Sequence, residues 1–276
     1  MTSPTSTPRD TASLYHAAGT QAFPALLAVG ISAAAWATLI VVGVAAVFGG
    51  LDLTVAIAMG QLAMVAVPVI AARVGRRHAQ AIGLARAPWQ YAVAALLIGA
   101  STWYINVRLV ELLQLRSETA ALEQLVDESS LGITLLAIAL APAVCEEIVF
   151  RGVLLRGLAT RFHATFAIAL SALVFAAYHM NLVQLFPTFT LGCILGMVAL
   201  RAASALPTML AHFINNAIAV VIARGELPML SNRDATGWLD RHPTLTLTGA
   251  TALTVSGIAI AMVAPRAPAP RAEGVV

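Results

Sequence analysis

Eight apolar blocks follow one another along the chain, each close to the ~20 residues that a helix needs to cross a hydrocarbon core. Inside lipid every backbone N–H and C=O must be satisfied within the protein, so only helices and closed barrels span a membrane. Barrel strands need only about 9–11 residues. The expected fold class is therefore all-α, a polytopic helical membrane protein with about eight transmembrane helices around a polar site. The spans are expected at 23–48, 53–72, 89–106, from 131 to beyond Arg151, 162–179, 185–200, 206–223 and 245–263. Composition agrees: 59% of residues are hydrophobic and 11% charged, against roughly 45–50% and 25% in soluble domains. That balance argues against a soluble enzyme, a disordered chain and a nucleic-acid binder, despite a net charge of +3. Cys145 and Cys193 both lie in apolar stretches, which disfavours a disulfide framework or a cysteine metal site.

Residues 1–22 are rich in Ser, Thr and Pro and read as a flexible tail without the pattern of a cleaved signal peptide. Residues 23–264 read as a single transmembrane domain and 265–276 as a C-terminal tail. Arg73, Arg76, Arg77 and Arg86 fall between the second and third spans with no acid among them. By the positive-inside rule that loop faces the cytoplasm. Arg156, Arg161, Arg201, Arg266 and Arg271 then fall on the same side, and both termini are cytoplasmic. The expected location is a bacterial inner (plasma) membrane. The acid-rich stretch 107–128 falls on the opposite side, as an interfacial helix or a solvated connector.

Against the apolar background a few polar residues stand out. Glu146 and Glu147 sit in the fourth span, where one charged side chain costs about 2.5–3.5 kcal/mol to insert. Arg151 is one turn after Glu147 and on its face, so these two are expected to pair, while Glu146 points about 100° away and is left for other work. Pro142, just upstream, either opens a new helix or kinks a longer one. His179 ends the fifth span, one turn after Phe175, and His212 and Asn216 project from one face of the seventh. Each of these has a plainer reading: a packing salt bridge, an interfacial histidine, a pair of interhelical hydrogen-bonding groups. Together they are expected to converge, because burying them separately costs more. Helix arithmetic puts Glu146 and His179 at similar depth but leaves His212 about 16 Å from the preceding turn near Arg201, so tilted or broken helices, or a turn placed elsewhere, are expected. Gln61 and Asn106 read as packing or interfacial amides, Trp89, Trp103, Tyr104 and Trp238 as interfacial belt residues, and Gly192 with Gly196 as a close helix contact.

Three short patterns, in this order on successive spans, carry a resemblance: Glu146-Glu147-Ile-Val-Phe-Arg151 as E-E-x-x-x-R, Phe175-Ala-Ala-Tyr-His179 as F-x-x-x-H, and His212-Phe-Ile-Asn-Asn216 as H-x-x-x-N. Across residues 131–223 the sequence resembles the CPBP family of intramembrane proteases, which includes the type II CAAX prenyl endopeptidases and the bacterial Abi proteins. The resemblance implies an intramembrane glutamate- or metallo-endopeptidase acting on a membrane-associated or lipidated peptide or protein. Glu146 would activate water, His179 would orient it, His212 and Asn216 would stabilise the oxyanion, and Glu147 and Arg151 would support the helix. A metal is left open. Glu146, His179 and His212 are the candidate Zn²⁺ ligands, but there is no H-E-x-x-H motif and the two histidines lie on different helices, which favours a metal-free site. The same polar cluster would also suit a transporter's ion site, or a bacteriocin-immunity or other interaction protein. Membrane lipid and a peptide substrate are the expected partners; the oligomeric state and the prenylation of the substrate are not readable.

Overall fold

The computed structural model describes residues 22–77, 79–113, 129–224, 237–239 and 241–266, and within them it is helical without strands. The long elements are α1 (Ala25–Phe48), α2 (Leu53–Val74), α3 (Gln90–Leu112), α4 (Leu131–Leu158), α5 (Ala164–Tyr178), α6 (Leu182–Ala202), α7 (Leu206–Ala223) and α8 (Pro243–Val263). Seven are long and apolar enough to cross a membrane. The exception is α5, expected as the fifth span. Its 15 residues reach about 22 Å, short of a core of about 30 Å. The chain fixes both of its ends. The His163 ring accepts from Thr165 N at the start. After Tyr178 the backbone turns through Met180 at φ 48°, and Asn181 caps α6 by accepting from Val183 N and Gln184 N. Of the acid-rich stretch, residues as far as Leu112 extend α3, and 114–128 lie outside the described residues.

Helices α1 and α2 form an antiparallel pair, α5 pairs with α6, and α3 packs on α7 and α8. The hub is α4, which touches α1, α2, α5, α6 and α7. Of its most apolar window 56% is buried, against 22–39% in the other six spans, so α4 is the helix that protein rather than lipid surrounds. It runs unbroken through Pro142, with π-helical turns at Leu135–Leu140 and Ile148–Leu155 on either side of α-helical Ala141–Glu147. A proline inside a helix has no N–H to donate and its ring crowds the carbonyl four residues back. The wider turn before it relieves that crowding, so Pro142 neither opens a separate helix nor breaks this one.

Contacts at the helix ends mark two faces. At one, Arg77 donates to Ala22 O at 3.1 Å and stacks over Phe23, Arg156 donates to Gln80 O, and Arg201 donates to Ala261 O at 2.9 Å. This face gathers the start of α1 and the ends of α2, α4, α6 and α8. The turn before α7 is drawn inward from it: Ala205 N donates to Gly83 O at 2.9 Å, and Gly83 lies against Gly152 of α4. A Cβ on Gly152 would overlap the Ile82 carbonyl, and one on Gly83, whose φ is +84°, would sit 2.7 Å from the Gly152 Cα. Helix α7 therefore begins at the depth of Gly152. That removes the depth conflict met in the sequence, since His212 and Glu147 are then level. At the other face Thr54 Oγ1 meets Ser129 Oγ at 3.3 Å and Arg224 donates to Ser129 O at 2.6 Å, which joins the starts of α2 and α4 to the end of α7. Gly192 and Gly196 face α5, where Cβ atoms would sit 3.0 Å from Ala172 Cβ and 3.2 Å from Ile168 Cγ2, the close contact their spacing suggested. Tyr104 is buried and packs edge-on to Trp103 at 5.4 Å; it is core, not an interfacial belt residue.

Candidate active site

Helices α4, α5 and α7 bring the motif residues to one cavity of about 460 Å³. Glu146, His179, His212 and Asn216 all line it, together with Asn106, Gln184 and Asn215. The two glutamates are separated by their helical phase. Glu147 is fully buried; its Oε1 accepts from Arg151 Nη1 at 2.7 Å and lies 3.0 Å from His212 Nδ1. The Arg151 guanidinium sits 4.1 Å from the centre of the Phe175 ring. The i,i+4 pairing expected for Glu147 and Arg151 is thus formed, and it extends to His212 on the neighbouring helix.

Glu146 has a different environment. Its Oε1 accepts from Gln61 Nε2 at 3.1 Å and from Tyr178 Oη at 3.3 Å. Its Oε2 is buried and has no hydrogen-bond partner among the described protein atoms. One carboxylate oxygen is fixed by two neutral donors and the other is left for a small molecule in the cavity.

Both histidines are oriented through Nδ1. That of His179 lies 2.9 Å from Phe175 O, and that of His212 is on Glu147. A ring nitrogen held against a carbonyl or carboxylate carries its proton there, which leaves Nε2 as the working atom. Phe175 stands between the two rings, edge-on to His179 at 5.0 Å and to His212 at 6.0 Å. Asn216 Nδ2 donates to Ile138 O at 3.1 Å, the carbonyl that Pro142 cannot serve. Its Oδ1 accepts from Asn215 Nδ2 at 3.1 Å, and Asn215 Oδ1 lies 3.0 Å from Thr102 Oγ1. These contacts fix which end of the Asn216 amide carries the hydrogens, and one N–H remains beyond the bond to Ile138.

Sequence reading passed over four of these residues. Gln61 and Tyr178 hold the carboxylate, and Asn215 and Thr102 set the amide. Gln61 was a packing amide on a span without motifs; the one signal for it was a lone polar residue amid apolar neighbours. Tyr178 is hidden inside F-x-x-x-H, where its position is unspecified. Among the described residues no group of three His, Cys, Asp or Glu side chains is arranged to hold a metal ion.

Residues 128–218 match the family model described as type II CAAX prenyl endopeptidase Rce1-like. The match takes in all three motifs and every motif residue of the cavity, and leaves α1, α2, α3 and α8 outside. No curated protein and no solved structure matches the chain. At the general level the matched segment is similar to a protease family, and it lies in a chain whose apolar helices are long enough to span a bilayer.

Proposed function

We propose that this protein is an intramembrane endopeptidase that hydrolyses a peptide bond of a membrane-associated substrate through a water activated by Glu146. The observation that carries this reading is the asymmetry of the Glu146 carboxylate: Oε1 is held by Gln61 and Tyr178, and Oε2 is unpartnered in a cavity shared with His179 and His212. A buried base with one free oxygen, held by neutral donors at the other, is suited to taking a proton from water.

In this mechanism a water donates one hydrogen to Glu146 Oε2 and the other to His179 Nε2. Its lone pair then points at the substrate carbonyl. As the water attacks, its proton passes to Glu146, and the carbonyl oxygen becomes an oxyanion. The His212 Nε2 position, with the ring held by Glu147 at Nδ1, and the remaining Asn216 N–H face that oxyanion; preorganised donors of this kind are worth about 2.7–4 kcal/mol each. Glu146 then returns the proton to the leaving amine as the C–N bond breaks. Glu147 and Arg151 act as support, keeping His212 and α4 in register. The protein resides in a bacterial plasma membrane with both termini in the cytoplasm, on the distribution of arginines described above.

The test is direct. The purified protein in lipid vesicles is incubated with a library of apolar peptides, and products are read by mass spectrometry. Internal cleavage by the wild type supports the reading. A folded wild-type protein that cleaves nothing in the library, while it binds or transports an ion, contradicts it.

A further inference from the structure

We infer that Asn106 and Gln184 form a binding site for the main chain of an extended peptide, with one amide on each of two walls of the cavity. The identity of the ligand rests on the proteolytic reading; the site itself rests on the disposition of the two amides.

The other polar groups of the cavity have partners within the protein. Glu146 is held by Gln61 and Tyr178, the histidines by Phe175 O and Glu147, and Asn215 and Asn216 by each other, Thr102 and Ile138. The Thr188 hydroxyl donates to Gln184 O. Asn106 and Gln184 differ. Both line the cavity and are half-buried, and neither side-chain amide has a hydrogen-bond partner among the described residues.

The helices fix where the two amides stand. Asn106 lies one turn after Thr102 on α3, on the face that packs on α7, where Thr102 Oγ1 lies 3.0 Å from Asn215 Oδ1. Gln184 stands in the first turn of α6, just after the turn at His179, and Asn181 Oδ1 accepts from its backbone N–H. One amide thus adjoins the helix that carries His212 and Asn216, and the other adjoins the turn that carries His179. The reacting carbonyl lies between those two groups in the mechanism above, so the amides flank it.

A peptide held for hydrolysis is extended at the reacting bond. An extended segment leaves N–H and C=O groups that a helix would have paired internally, and in an apolar surrounding those groups need partners. Much of the remaining lining is Ala, Ile, Leu, Val and Pro, whose side chains offer none. An Asn or Gln amide carries two N–H donors and one C=O acceptor. It can close a pair of hydrogen bonds with one peptide unit, donating to the C=O and accepting from the N–H. Apart from Glu146 and the two histidines, no ionisable side chain among the described residues lines the cavity. Neutral amides in a cavity of about 460 Å³ match a short, extended, uncharged stretch of peptide, recognised through its backbone.

The test measures binding, not turnover. The full chain carrying Glu146→Gln is reconstituted in lipid nanodiscs and titrated with a fluorescent apolar peptide of Ala, Val and Leu. A matching set of peptides has one backbone N–H at a time replaced by an ester oxygen. Asn106→Leu and Gln184→Met are then added singly to the same chain, with Tm recorded for each. A hydrogen bond of this kind is worth about 3–10-fold in Kd, so each substitution should weaken binding by about that factor or more at unchanged Tm. For each amide, one ester position should weaken binding to the parent chain and have no further effect once that amide is gone. Where one substitution lowers Tm, the ester cycle at the other amide decides. Absence of binding by the parent chain, or ester losses that simply add to those of the substitutions, overturns the proposal. The two readings fail separately. Coupled binding, with no cleavage of these peptides by the wild type, overturns the proteolytic reading and leaves the site standing. Cleavage with KM unchanged in both Asn106→Leu and Gln184→Met overturns the site alone.

Discussion

Replacing Arg151 with alanine is expected to unfold the protein at lower temperature, and the structure sets the size of the effect. The guanidinium is 1% exposed, donates to Glu147 Oε1 at 2.7 Å and lies 4.1 Å from the Phe175 ring centre. Glu147 is 0% exposed, and His212 at 3.0 Å and the Thr208 hydroxyl are its further polar partners. Removing one partner of a buried pair costs about 3–5 kcal/mol, because the remaining charge stays buried and uncompensated. The lost contact to Phe175 adds a term of up to about 2 kcal/mol, and the His212 contact offsets part of the total, so about 3–5 kcal/mol stands. For a chain of this size each 1 kcal/mol shifts Tm by about 2–4 °C, which puts the expected drop at roughly 6–20 °C. The assay is thermal unfolding in mild detergent followed by tryptophan fluorescence. If the stranded carboxylate is the cause, Glu147→Gln combined with Arg151→Met should recover more than half of the loss. An Arg151→Ala protein with wild-type Tm and no activity would refute this reasoning and move the arginine into the chemistry. A double variant as unstable as the single one would refute the electrostatic cause.

Four further outcomes follow from the same contacts. Tyr178→Phe keeps the ring packed on Phe150 at 5.2 Å and removes one of the two donors to Glu146; kcat should fall about 10-fold or more with KM and Tm little changed, as expected for a group that orients a base, and an unchanged kcat would show that the tyrosine is packing alone. Asn216→Ala should both lower kcat by about 10²–10³-fold and reduce stability by about 1–3 kcal/mol, because the Ile138 carbonyl loses its donor; a change in one without the other would separate the two roles. His212→Ala should lower kcat at least as far as Asn216→Ala, in the same peptide assay. Gly152→Ala places a methyl into the Ile82 carbonyl and should destabilise by about 1–3 kcal/mol in the same unfolding assay; a neutral result would mean that the Ala79–Ile82 turn moves freely.

Much of this architecture was legible in the sequence for one physical reason: lipid makes long apolar runs mandatory, so the spans announce themselves. The Glu147–Arg151 pair was equally legible, because i,i+4 spacing is local. What sequence reasoning missed was non-local. Gln61 is 85 residues from Glu146, and no period or spacing relates them. The shortness of α5 was hidden because its apolar run continues to the edge of the turn. The buried start of α7 depends on the contact of Gly83 with Gly152, which a lone glycine does not reveal. Asn216 was read for its spacing to His212, yet its bond to Ile138 follows from Pro142, a residue 74 positions away by number in this sequence. Assigning it two roles required both helices to be in place.

The central claim is that Glu146 is the base. The direct measurement is the turnover of one defined peptide by wild-type and Glu146→Gln protein, purified and reconstituted in the same lipid, with Tm recorded for both. Glutamine keeps the shape and can still meet Gln61 and Tyr178, but it cannot take a proton from water. The account predicts a loss of about 10²–10⁴-fold in kcat at near-wild-type Tm. A folded Glu146→Gln protein that retains near-wild-type turnover would contradict it.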